Sequence, residues 1–298
     1  MKKTPQAGIF AENTNSYYYL EYQLDFSMPL ADIKAALQQA LELQTDEVNV
    51  VISFGKKAWS FLNPEWQPED LIDFMALQGV DGFAMPSTQN DVFFWIHSTH
   101  HDDNFDAVLN VQFAMEKVAK AQLDLRGFRY RDERDLIGFV DGSANPKGDA
   151  KQLAALIPTG EIGEAGSYVL SQKWVHDLAA FNQLSVNEQE QVVGRTKVDS
   201  IELEGDAMPY DSHVSRTDLK IDGQAMKIYR RSDPYGTAQE HGLYFLAFAC
   251  EIRRFSSQLE SMLGITDGVH DRLIEFSTAV TGSYWFAPSV EDLHALLS

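Results

Sequence analysis

The sequence predicts an α+β fold made of two similar domains. The chain has 298 residues, which exceeds the usual size of a single domain and favours two. Hydrophobic residues make up 44% of the chain and aromatic residues 11%, which is enough for a large core and unlike a disordered protein. Segments with strand-like and helix-like patterns alternate through the first half of the chain, and the second half repeats this order.

The first half contains three predicted strands and three predicted helices. Runs rich in aromatic and β-branched residues predict strands at 17–24, 48–55 and 91–98. Apolar residues at helical spacing predict helices at 29–44, 70–79 and 105–122. Pro29 and Asp32 suit the first turn of the first of these helices, because an N-terminal turn tolerates proline and favours an acidic side chain.

The second half shows the same alternation. It predicts strands at 167–178, 242–252 and 283–289, and helices at 186–196, 253–264 and 290–298. The segment between the halves, NPKGDAKQLAALIPTGEIGEAG, is the longest stretch with several Pro and Gly residues. We therefore expect an N-terminal domain at 1–145, a linker at 146–166 and a C-terminal domain at 167–298.

Charge and cysteine content exclude several classes of function. The net charge of −20 opposes non-specific binding to nucleic acid or to anionic membrane, because both are polyanions. Cys250 is the single cysteine, so an internal disulfide and a thiolate metal cluster are excluded. Residues 1–15 hold two lysines without an apolar stretch, and no apolar run approaches the length of a bilayer span. We expect a cytoplasmic protein that binds neither membrane nor nucleic acid.

The segment HSTHHDD (97–103) is the most conspicuous histidine cluster. Its three histidines and two aspartates have the chemistry of a transition-metal site. The alternative is a solvated loop where a strand gives way to a helix, with an aspartate capping the helix N-terminus. We favour the loop, because a structural zinc site usually has four ligands at organised spacing.

Three other residues lie in separate polar segments that lack a phosphate-binding or hydrolase motif. Asp141 lies in GFVDGSANP, His213 in DSHVSRTDL and Arg230 in KIYRRSDPYG. Each residue alone has an ordinary structural explanation: a turn aspartate, a hydrogen-bonded histidine and a surface arginine. Together, an acid, an imidazole and an arginine near strand ends could converge on one pocket.

These segments, in this order, resemble the signature of the dye-decolourising peroxidases, which are haem enzymes. The resemblance extends over essentially the whole chain, including RDERDLIGFVDG, EQEQVVGRTK, HGLYFLAF and GSYWFAPS. It implies two ferredoxin-like domains with antiparallel sheets, a dimeric α+β barrel with helices packed outside. The compact form is similar to the bacterial cytoplasmic branch, and the implied cofactor is haem b.

The resemblance also implies roles for individual residues. It makes His213 the proximal ligand of the haem iron, and it makes Asp141 and Arg230 the pair on the peroxide side. A carboxylate that accepts the proximal N–H would strengthen the ligand. Glu291 or Asp292, after the FAPS strand, is the expected partner.

Further contacts with the cofactor are implied by neighbouring positions. Arg195, in VVGRTK, falls where the family offers a cation to a haem propionate. Gly142 and Ser143 would place backbone against the haem, where glycine permits close approach. The implied function is a haem peroxidase that reduces hydrogen peroxide and oxidises bulky dyes and phenolic compounds by one-electron steps. The implied partners are hydrogen peroxide and a bulky aromatic reductant, and a homo-oligomer is expected.

Electrons from a bulky reductant need a route through the protein. Tyr130, Trp174, Tyr229 and Tyr235 are candidates, because they lie near the motifs in sequence, and ordinary core packing is the alternative for each. Two other functions are open: a haem-handling protein that binds haem or releases its iron with little peroxidase role, and a structural α+β module in which the motifs coincide by chance.

Overall fold

The structure is a computed structural model of the 298-residue chain, and it describes residues 2–42 and 47–298. Within these residues there are fourteen β-strands, numbered in chain order: β1 (Ser16–Leu24), β2 (Val48–Phe54), β3 (Leu77–Gln78), β4 (Ala84–Met85), β5 (Val92–Ser98), β6 (Ala119–Phe128), β7 (Ser167–His176), β8 (Lys220–Ile221), β9 (Gln224–Ala225), β10 (Tyr229–Arg230), β11 (Asp233–Gly236), β12 (His241–Ala249), β13 (Ser277–Ala279) and β14 (Ser283–Ala287).

Nine α-helices lie in the same described residues: α1 (Leu30–Leu41), α2 (Lys56–Leu62), α3 (His101–Met115), α4 (Asp149–Ala155), α5 (Leu178–Phe181), α6 (Val186–Val193), α7 (His213–Thr217), α8 (Arg253–Met262) and α9 (Val290–Leu297). Short 3₁₀ turns lie at Ala7–Phe10, Val80–Gly82, Gly205–Ala207 and Arg272–Glu275. Across residues 2–42 and 47–298, every helix is too short or too polar to traverse a lipid bilayer.

The main sheet closes into a barrel. Its ten strands are antiparallel and follow the order β10-β12-β11-β6-β1-β5-β2-β14-β7-β13, and an additional ladder joins β12 to β7. That ladder pairs Gly242–Ala249 with Tyr168–Val175 and completes a ring of eight strands. The predicted α+β class is therefore confirmed, and closure leaves the ring without an open edge along this seam.

Alternating side chains divide the core between the two faces of the barrel. Tyr19, Phe93 and Trp285 belong to a buried aromatic cluster in the barrel interior. Their neighbours on the same strands, such as Leu20 and Phe94, belong to a second cluster that includes the buried faces of α1 and α3. Because strand side chains alternate between faces, each strand supplies both cores, and the helices pack outside the barrel.

Most predicted elements are confirmed with small shifts in their ends. The strands predicted at 17–24, 48–55, 91–98, 167–178, 242–252 and 283–289 correspond to β1, β2, β5, β7, β12 and β14. The helices predicted at 186–196, 253–264 and 290–298 correspond to α6, α8 and α9. The helix predicted at 29–44 is α1, which ends at Leu41; residues 43–44 of that prediction lie outside the described residues.

The predicted helix at 70–79 is wrong. Leu71 and Phe74 are buried at helical spacing, but the segment has irregular backbone followed by β3. Two of its amides are bonded by distant side chains: the Asp70 N–H donates to the Tyr168 hydroxyl at 3.1 Å, and the Phe74 N–H donates to Oε1 of Gln89 at 2.9 Å. The apolar spacing reflects two anchors of a loop, a pattern that periodicity alone does not distinguish from a helix.

The predicted helix at 105–122 is wrong at both ends. Helix α3 begins at His101 and ends at Met115, and residues 119–128 form β6, which was not predicted. Most residues of β6 are exposed or half-buried, so the strand lacks the strongly apolar pattern that identifies the other long strands. Its pairing with β1 is a tertiary contact that determines its conformation.

The histidine segment at 97–103 does not gather into one cluster. His97 is fully buried, and its ring nitrogens bond Thr14 and the Gly8 carbonyl. His100 is exposed and Asp103 is half-buried, and the helix already begins at His101, so the predicted solvated loop is confirmed only for His100. The predicted aspartate cap is wrong: His100 occupies the N-cap without a side-chain cap bond, and the aspartates lie in the first turn.

A polar network lies within the barrel interior. Tyr19 and Tyr244 stack with ring centroids 4.0 Å apart. The Tyr19 hydroxyl donates to Asp233 at 3.0 Å, and the Tyr244 hydroxyl donates to the buried carboxylate of Glu21 at 2.9 Å. Burial raises the pKa of Asp233 to about 7, and the nearby Arg231 guanidinium opposes this shift. Asp233 therefore holds a proton over a pH range in which exposed carboxyls are ionised.

We expect Asp233→Asn to remove a pH dependence of stability. The carboxyl has a pKa of about 7 in the folded chain and of about 4 in the unfolded chain. Its contribution to the free energy of unfolding is therefore fully present below the unfolded value and is lost as pH rises from about 4 to about 7. Urea unfolding across this range measures the slope. The exposed Asp222→Asn is the control, and an unchanged slope in Asp233→Asn would contradict the assignment.

Candidate active site

Asp141, His213 and Arg230 line one cavity beside the outer face of the barrel. The cavity has two adjoining lobes, and all three side chains line both of them. One lobe is walled mainly by apolar residues of β7, β12 and α8, including Leu170, Phe245, Phe255, Leu259 and Met262. The other lobe reaches the loop at 137–145 and Arg195. The structure thus brings together the three residues that the sequence singled out.

His213 is held by a buried aspartate that sequence reasoning missed. Ser212 caps the N-terminus of α7, and His213 is the first residue of that helix. The Nδ1–H of His213 donates to Oδ2 of Asp271 at 2.6 Å. Asp271 is fully buried, and its Oδ1 accepts the Leu273 N–H at 2.8 Å. Because both carboxylate oxygens have a partner, the imidazole is fixed with Nε2 on its opposite side.

The predicted partners of His213 are wrong. Glu291 accepts hydrogen bonds from the backbone N–H and the hydroxyl of Thr4. Asp292 forms an ion pair with Lys3 at 2.7 Å. Both acids lie in the first turn of α9 and serve to attach the N-terminal segment of the chain. Asp271 carried no sequence signal, because an isolated aspartate in a loop is commonplace.

A second histidine on the cavity wall, His176, differs from His213 in the hydrogen bonds of its ring nitrogens. His176 is buried, its Nδ1 bonds Ser277 at 2.8 Å and its Nε2 bonds Asp135 at 3.1 Å. Both ring nitrogens are therefore occupied. Nε2 of His213 makes no hydrogen bond in residues 2–42 and 47–298, so His213 has the ring nitrogen available to an occupant of the cavity.

Asp141 and Arg230 form an open pair. Nε of Arg230 lies 3.5 Å from Oδ1 of Asp141, and each side chain is about three-quarters buried. Oδ1 of Asp141 also accepts the Gly142 N–H at 2.6 Å. Arg230 Nε is buried and has no hydrogen-bond partner of standard geometry among the described residues. A buried unsatisfied donor is costly, so the pair is suited to a polar molecule that enters between the two side chains.

Asn145 joins the two segments that carry this pair. Its carboxamide accepts the Arg230 N–H at 3.0 Å and donates to the Arg230 carbonyl at 2.8 Å. The loop at 141–145 is thereby attached to β10 through both backbone polar groups of one residue. Asn145 lies inside the GFVDGSANP motif, and its role could have been sought there, but the partner is visible only in the fold.

Of the remaining predicted cofactor contacts, Arg195 and Ser143 line the cavity, whereas Gly142 lines the cleft on the other side of Asp141 and Arg230. Arg195 lines it and bonds Glu202 and the Ser200 carbonyl. Ser143 lines the same lobe and is exposed. Gly142 adopts a φ of 72°, a backbone conformation that favours glycine, and lines the outer side of the loop.

The residues present fit a haem. One imidazole presents an unoccupied Nε2, apolar side chains wall the adjacent lobe, and a carboxylate and a guanidinium share that cavity. A haem protein needs a strong axial ligand, an apolar pocket and polar groups at an open coordination position. The donor set of a single imidazole without thiolates or clustered carboxylates is unlike that of a structural zinc or calcium site.

Two of the predicted electron-relay residues lie at the apolar lobe of the cavity, and the other two lie at a separate cleft. Trp174 lines the apolar lobe of the cavity, and Tyr235 is buried beside it, with its hydroxyl donating to the Trp174 carbonyl at 3.2 Å. Tyr229 stacks on Phe10, and Tyr130 is half-buried. Tyr229 and Tyr130 both line a cleft on the other side of Asp141 and Arg230.

Two family models match consecutive parts of the chain. Residues 6–129 match the N-terminal part of the Dyp-type peroxidases, and residues 132–292 match their C-terminal part. A dye-decolorizing peroxidase of Mycobacterium tuberculosis is 39% identical over 254 residues, which cover 84% of this chain and 76% of that protein. One of Rhodococcus erythropolis is 34% identical over 89% of this chain and 79% of that protein.

Solved structures agree with these matches. A putative Dyp-type peroxidase of Shewanella oneidensis superposes with a TM-score of 0.92 at 34% identity and covers 99% of both chains. A variant of the DypB protein of Rhodococcus jostii, solved in complex with haem, superposes with a TM-score of 0.92 at 30% identity over 99% of both chains. The chain therefore belongs to the dye-decolorizing, or Dyp-type, peroxidase family, and it is a haem peroxidase that acts on hydrogen peroxide.

Proposed function

We propose that Asp141 and Arg230 activate hydrogen peroxide and that His213 would hold the haem through its iron. The observation that carries this proposal is the shared cavity in which an imidazole with an open Nε2 and an open Asp141–Arg230 pair are all exposed. When bound, haem supplies the iron centre that exchanges electrons between peroxide and a reductant.

The two residues have separate roles: Asp141 transfers protons, and Arg230 stabilises negative charge. An Asp141 carboxylate oxygen takes the proton of one peroxide oxygen as a general base and returns it to the leaving oxygen as a general acid. Arg230 stays protonated and stabilises the negative charge that develops while the O–O bond breaks. The Arg230 Nε–H without a hydrogen-bond partner lies 3.5 Å from Oδ1 of Asp141, so both groups can contact one small molecule.

His213 binds the cofactor through Nε2, and Asp271 defines its tautomer. With Nδ1–H donated to a buried carboxylate, Nε2 carries a lone pair and increased electron density. Asp271 thereby positions the ligand ring and makes it a stronger donor. Arg195, Ser143 and the Gly142 backbone are proposed to contact the periphery of the haem.

The alternative of a haem-handling protein is not favoured. Binding or storing haem requires a ligand and an apolar pocket. These functions do not explain why a partly buried carboxylate and a guanidinium face each other without a close hydrogen bond. Peroxide activation requires both groups.

We further propose that the two halves of the chain are ferredoxin-like domains at 1–145 and 167–298, joined by the linker at 146–166. The first half supplies β6-β1-β5-β2 and the second half β11-β12-β7-β14 to the ring. Disregarding the short pair β3 and β4, the first order is fourth, first, third, second, which is the ferredoxin-like arrangement. The family matches divide the chain near residue 130, which supports two domains.

A bulky aromatic reductant, a homo-oligomeric state and a cytoplasmic location remain predictions from the resemblance. Dye-oxidation assays, light scattering and cell fractionation test them in turn. Haem b as the specific cofactor is tested by extracting the bound pigment and identifying its porphyrin.

We expect Asp141→Asn and Arg230→Leu each to slow the reaction with peroxide by about 10²- to 10⁴-fold. The first substitution removes the group that transfers the proton, and the second removes the cation that stabilises the developing negative charge. Stopped-flow absorbance of the haem-loaded enzyme measures the step. The combined variant should lose less than the product of the two effects, because the residues act on one event. Asp149→Asn, in the exposed first turn of α4, is the control. Peroxide rates of unchanged size would contradict the assignment.

We expect Asp271→Asn to weaken haem binding by about 10- to 100-fold, because the imidazole loses its orienting carboxylate. It should also raise the Fe(III)/Fe(II) midpoint potential, because a weaker donor stabilises ferric iron less. Haem titration and spectroelectrochemistry measure these effects. Glu291→Gln and Asp292→Asn are the controls, and either of them reproducing both effects would refute the assignment of Asp271.

We expect Tyr235→Phe to slow the oxidation of bulky dyes while leaving the peroxide step unchanged. Tyr235 is buried against Trp174 of the cavity wall, and the Lys173 ammonium lies 5.1 Å from its ring centroid near the surface. A phenylalanine is harder to oxidise and would interrupt a relay. Tyr22→Phe removes another buried hydroxyl and is the control. Equal dye rates in both variants would exclude Tyr235 from the relay.

A further inference from the structure

The segment that carries Asp141 is a short hydrogen-bonded hairpin, residues 133–141, named the first hairpin. The Asp141 N–H donates to the Glu133 carbonyl at 2.9 Å. Closer to the turn, the Asp135 N–H donates to the Phe139 carbonyl at 2.9 Å. Asp141 is thus the last residue of a hydrogen-bonded unit, and the placement of its carboxylate depends on what holds this unit.

A second hairpin, residues 194–203, carries Arg195. Arg195 forms an antiparallel bridge with Glu202, and the Leu203 N–H donates to the Gly194 carbonyl at 3.0 Å. Residues of both hairpins line the same lobe of the cavity. The relative position of the two hairpins therefore determines how a proposed peroxide contact lies relative to a proposed haem contact.

The side chain of Arg134 connects the two hairpins. Its Nη1 donates to the Gly138 carbonyl of the first hairpin at 2.8 Å and to the Lys197 carbonyl of the second at 2.6 Å. Its Nη2 donates to the Val198 carbonyl, also in the second hairpin, at 3.0 Å. One guanidinium thus binds three main-chain carbonyls, because it is planar and has several N–H donors in fixed directions.

The orientation of Arg134 is itself fixed. Its Nε and Nη2 donate to the two carboxylate oxygens of Asp132 at 2.9 and 3.1 Å, a geometry that suits a planar guanidinium. Together with the three carbonyls, these oxygens give all five N–H groups of the guanidinium an acceptor. The Arg134 side chain is only 17% exposed. It therefore acts as a cross-link between main-chain segments and has no donor left for a ligand.

The tips of the two hairpins are also in close contact. Gly138 has a φ of 95°, and a Cβ atom at this position would lie 2.6 Å from Cε of Lys197. The Lys197 ammonium lies 5.6 Å from the centroid of the Phe139 ring. A side chain at Gly138 would push the tips apart, so glycine at this position permits Arg134 to reach both of them.

Two other contacts attach the first hairpin and the residues after it to the barrel sheet. Asp135 bonds Nε2 of His176 on β7 at 3.1 Å, and Asn145 bonds the backbone of Arg230. Arg134 adds the attachment to the second hairpin. Because the other two contacts remain when Arg134 is replaced, we expect a displaced hairpin in a folded protein.

We propose that Arg134 is a positioning residue for peroxide activation. By bonding both hairpins, it sets the position of the Asp141 carboxylate relative to Arg195, the proposed haem contact on the second hairpin. This inference rests on the proposed function, because it assigns Arg134 an effect that acts through Asp141. Such an effect is measurable, since a displacement of about 1 Å can slow a reaction by about 10²-fold.

The first test measures the link between the hairpins without turnover. Haem-loaded Arg134→Gln and the unmodified enzyme are compared by amide hydrogen exchange in the absence of peroxide. We expect amides of both hairpins to exchange about 3- to 10-fold faster in the variant, the effect of losing about one hydrogen bond. Arg253→Gln is the control, because Arg253 is exposed on α8 and pairs with the exposed Asp222 at 3.3 Å. Faster exchange in one hairpin alone, or in neither, would overturn the link.

The second test determines whether Arg134 acts through Asp141. We expect Arg134→Gln to slow the reaction with peroxide by about 10- to 100-fold, measured by stopped-flow absorbance. In the Asp141→Asn background the same substitution should change the rate by less than about twofold, because no carboxylate is left to position. A general structural defect would slow the reaction by the same factor in both backgrounds, and that result would overturn the proposal.

A conservative variant, Arg134→Lys, separates position from charge. Lysine keeps the positive charge but lacks the planar fork that reaches three carbonyls. We expect it to retain most of the defect in both tests, and it replaces Arg134→Gln in them if that variant does not fold. Full recovery with lysine would show that charge alone suffices and would overturn positioning by hydrogen bonds.

The two proposals fail in different ways. If Asp141→Asn slows the peroxide step and the effect of Arg134→Gln is purely additive, the positioning role is wrong and the peroxidase function stands. If Asp141→Asn leaves the peroxide step unchanged, the proposed role of Asp141 fails first. Faster exchange in both hairpins would then show that Arg134 is a purely structural cross-link.

Discussion

The pairing of β7 with β12 is the constraint on which both the fold and the candidate site depend. Eight residue pairs join Tyr168–Val175 to Gly242–Ala249 and close the ring of strands. One face of this seam supplies Tyr244 and Val169 to the interior cluster, and the other supplies Leu170 and Phe245 to the cavity wall. Because side chains alternate, a shift of the register by one residue would exchange these faces and destroy both.

The candidate site is assembled beside this seam from a strand, a loop and a short helix. Arg230 belongs to β10, which pairs with β12, and so lies at a defined height above the sheet. Asp141 comes from a loop, and Asn145 attaches that loop to the backbone of Arg230. His213 comes from the short helix α7, and the fully buried Asp271 holds its ring. Each loop-borne group is thus fixed by a side chain that does no chemistry itself, which is how a preorganised site is maintained.

Four ionisable side chains lie in and beside the Asp141–Arg230 pair. Asp141, Arg230, Arg231 and Asp233 lie close together in the chain or in space, and burial keeps Asp233 protonated to a higher pH than an exposed acid. A neutral Asp233 leaves Arg231 without a full countercharge.

The α+β class, most of the strands and helices, and the choice of Asp141, His213 and Arg230 as candidates for one pocket could be read from the sequence, because local periodicity and short motifs are properties of neighbouring residues. It did not reveal β6, whose exposed residues form a strand by pairing with β1, or the loop at 70–76, where the Asp70 and Phe74 N–H groups are bonded by distant side chains. It also named Glu291 and Asp292 as partners of His213, whereas the fold brings Asp271 there from another part of the chain. These contacts become visible in the folded chain alone, because a hydrogen bond depends on distance in space and leaves no periodic pattern in the order of residues.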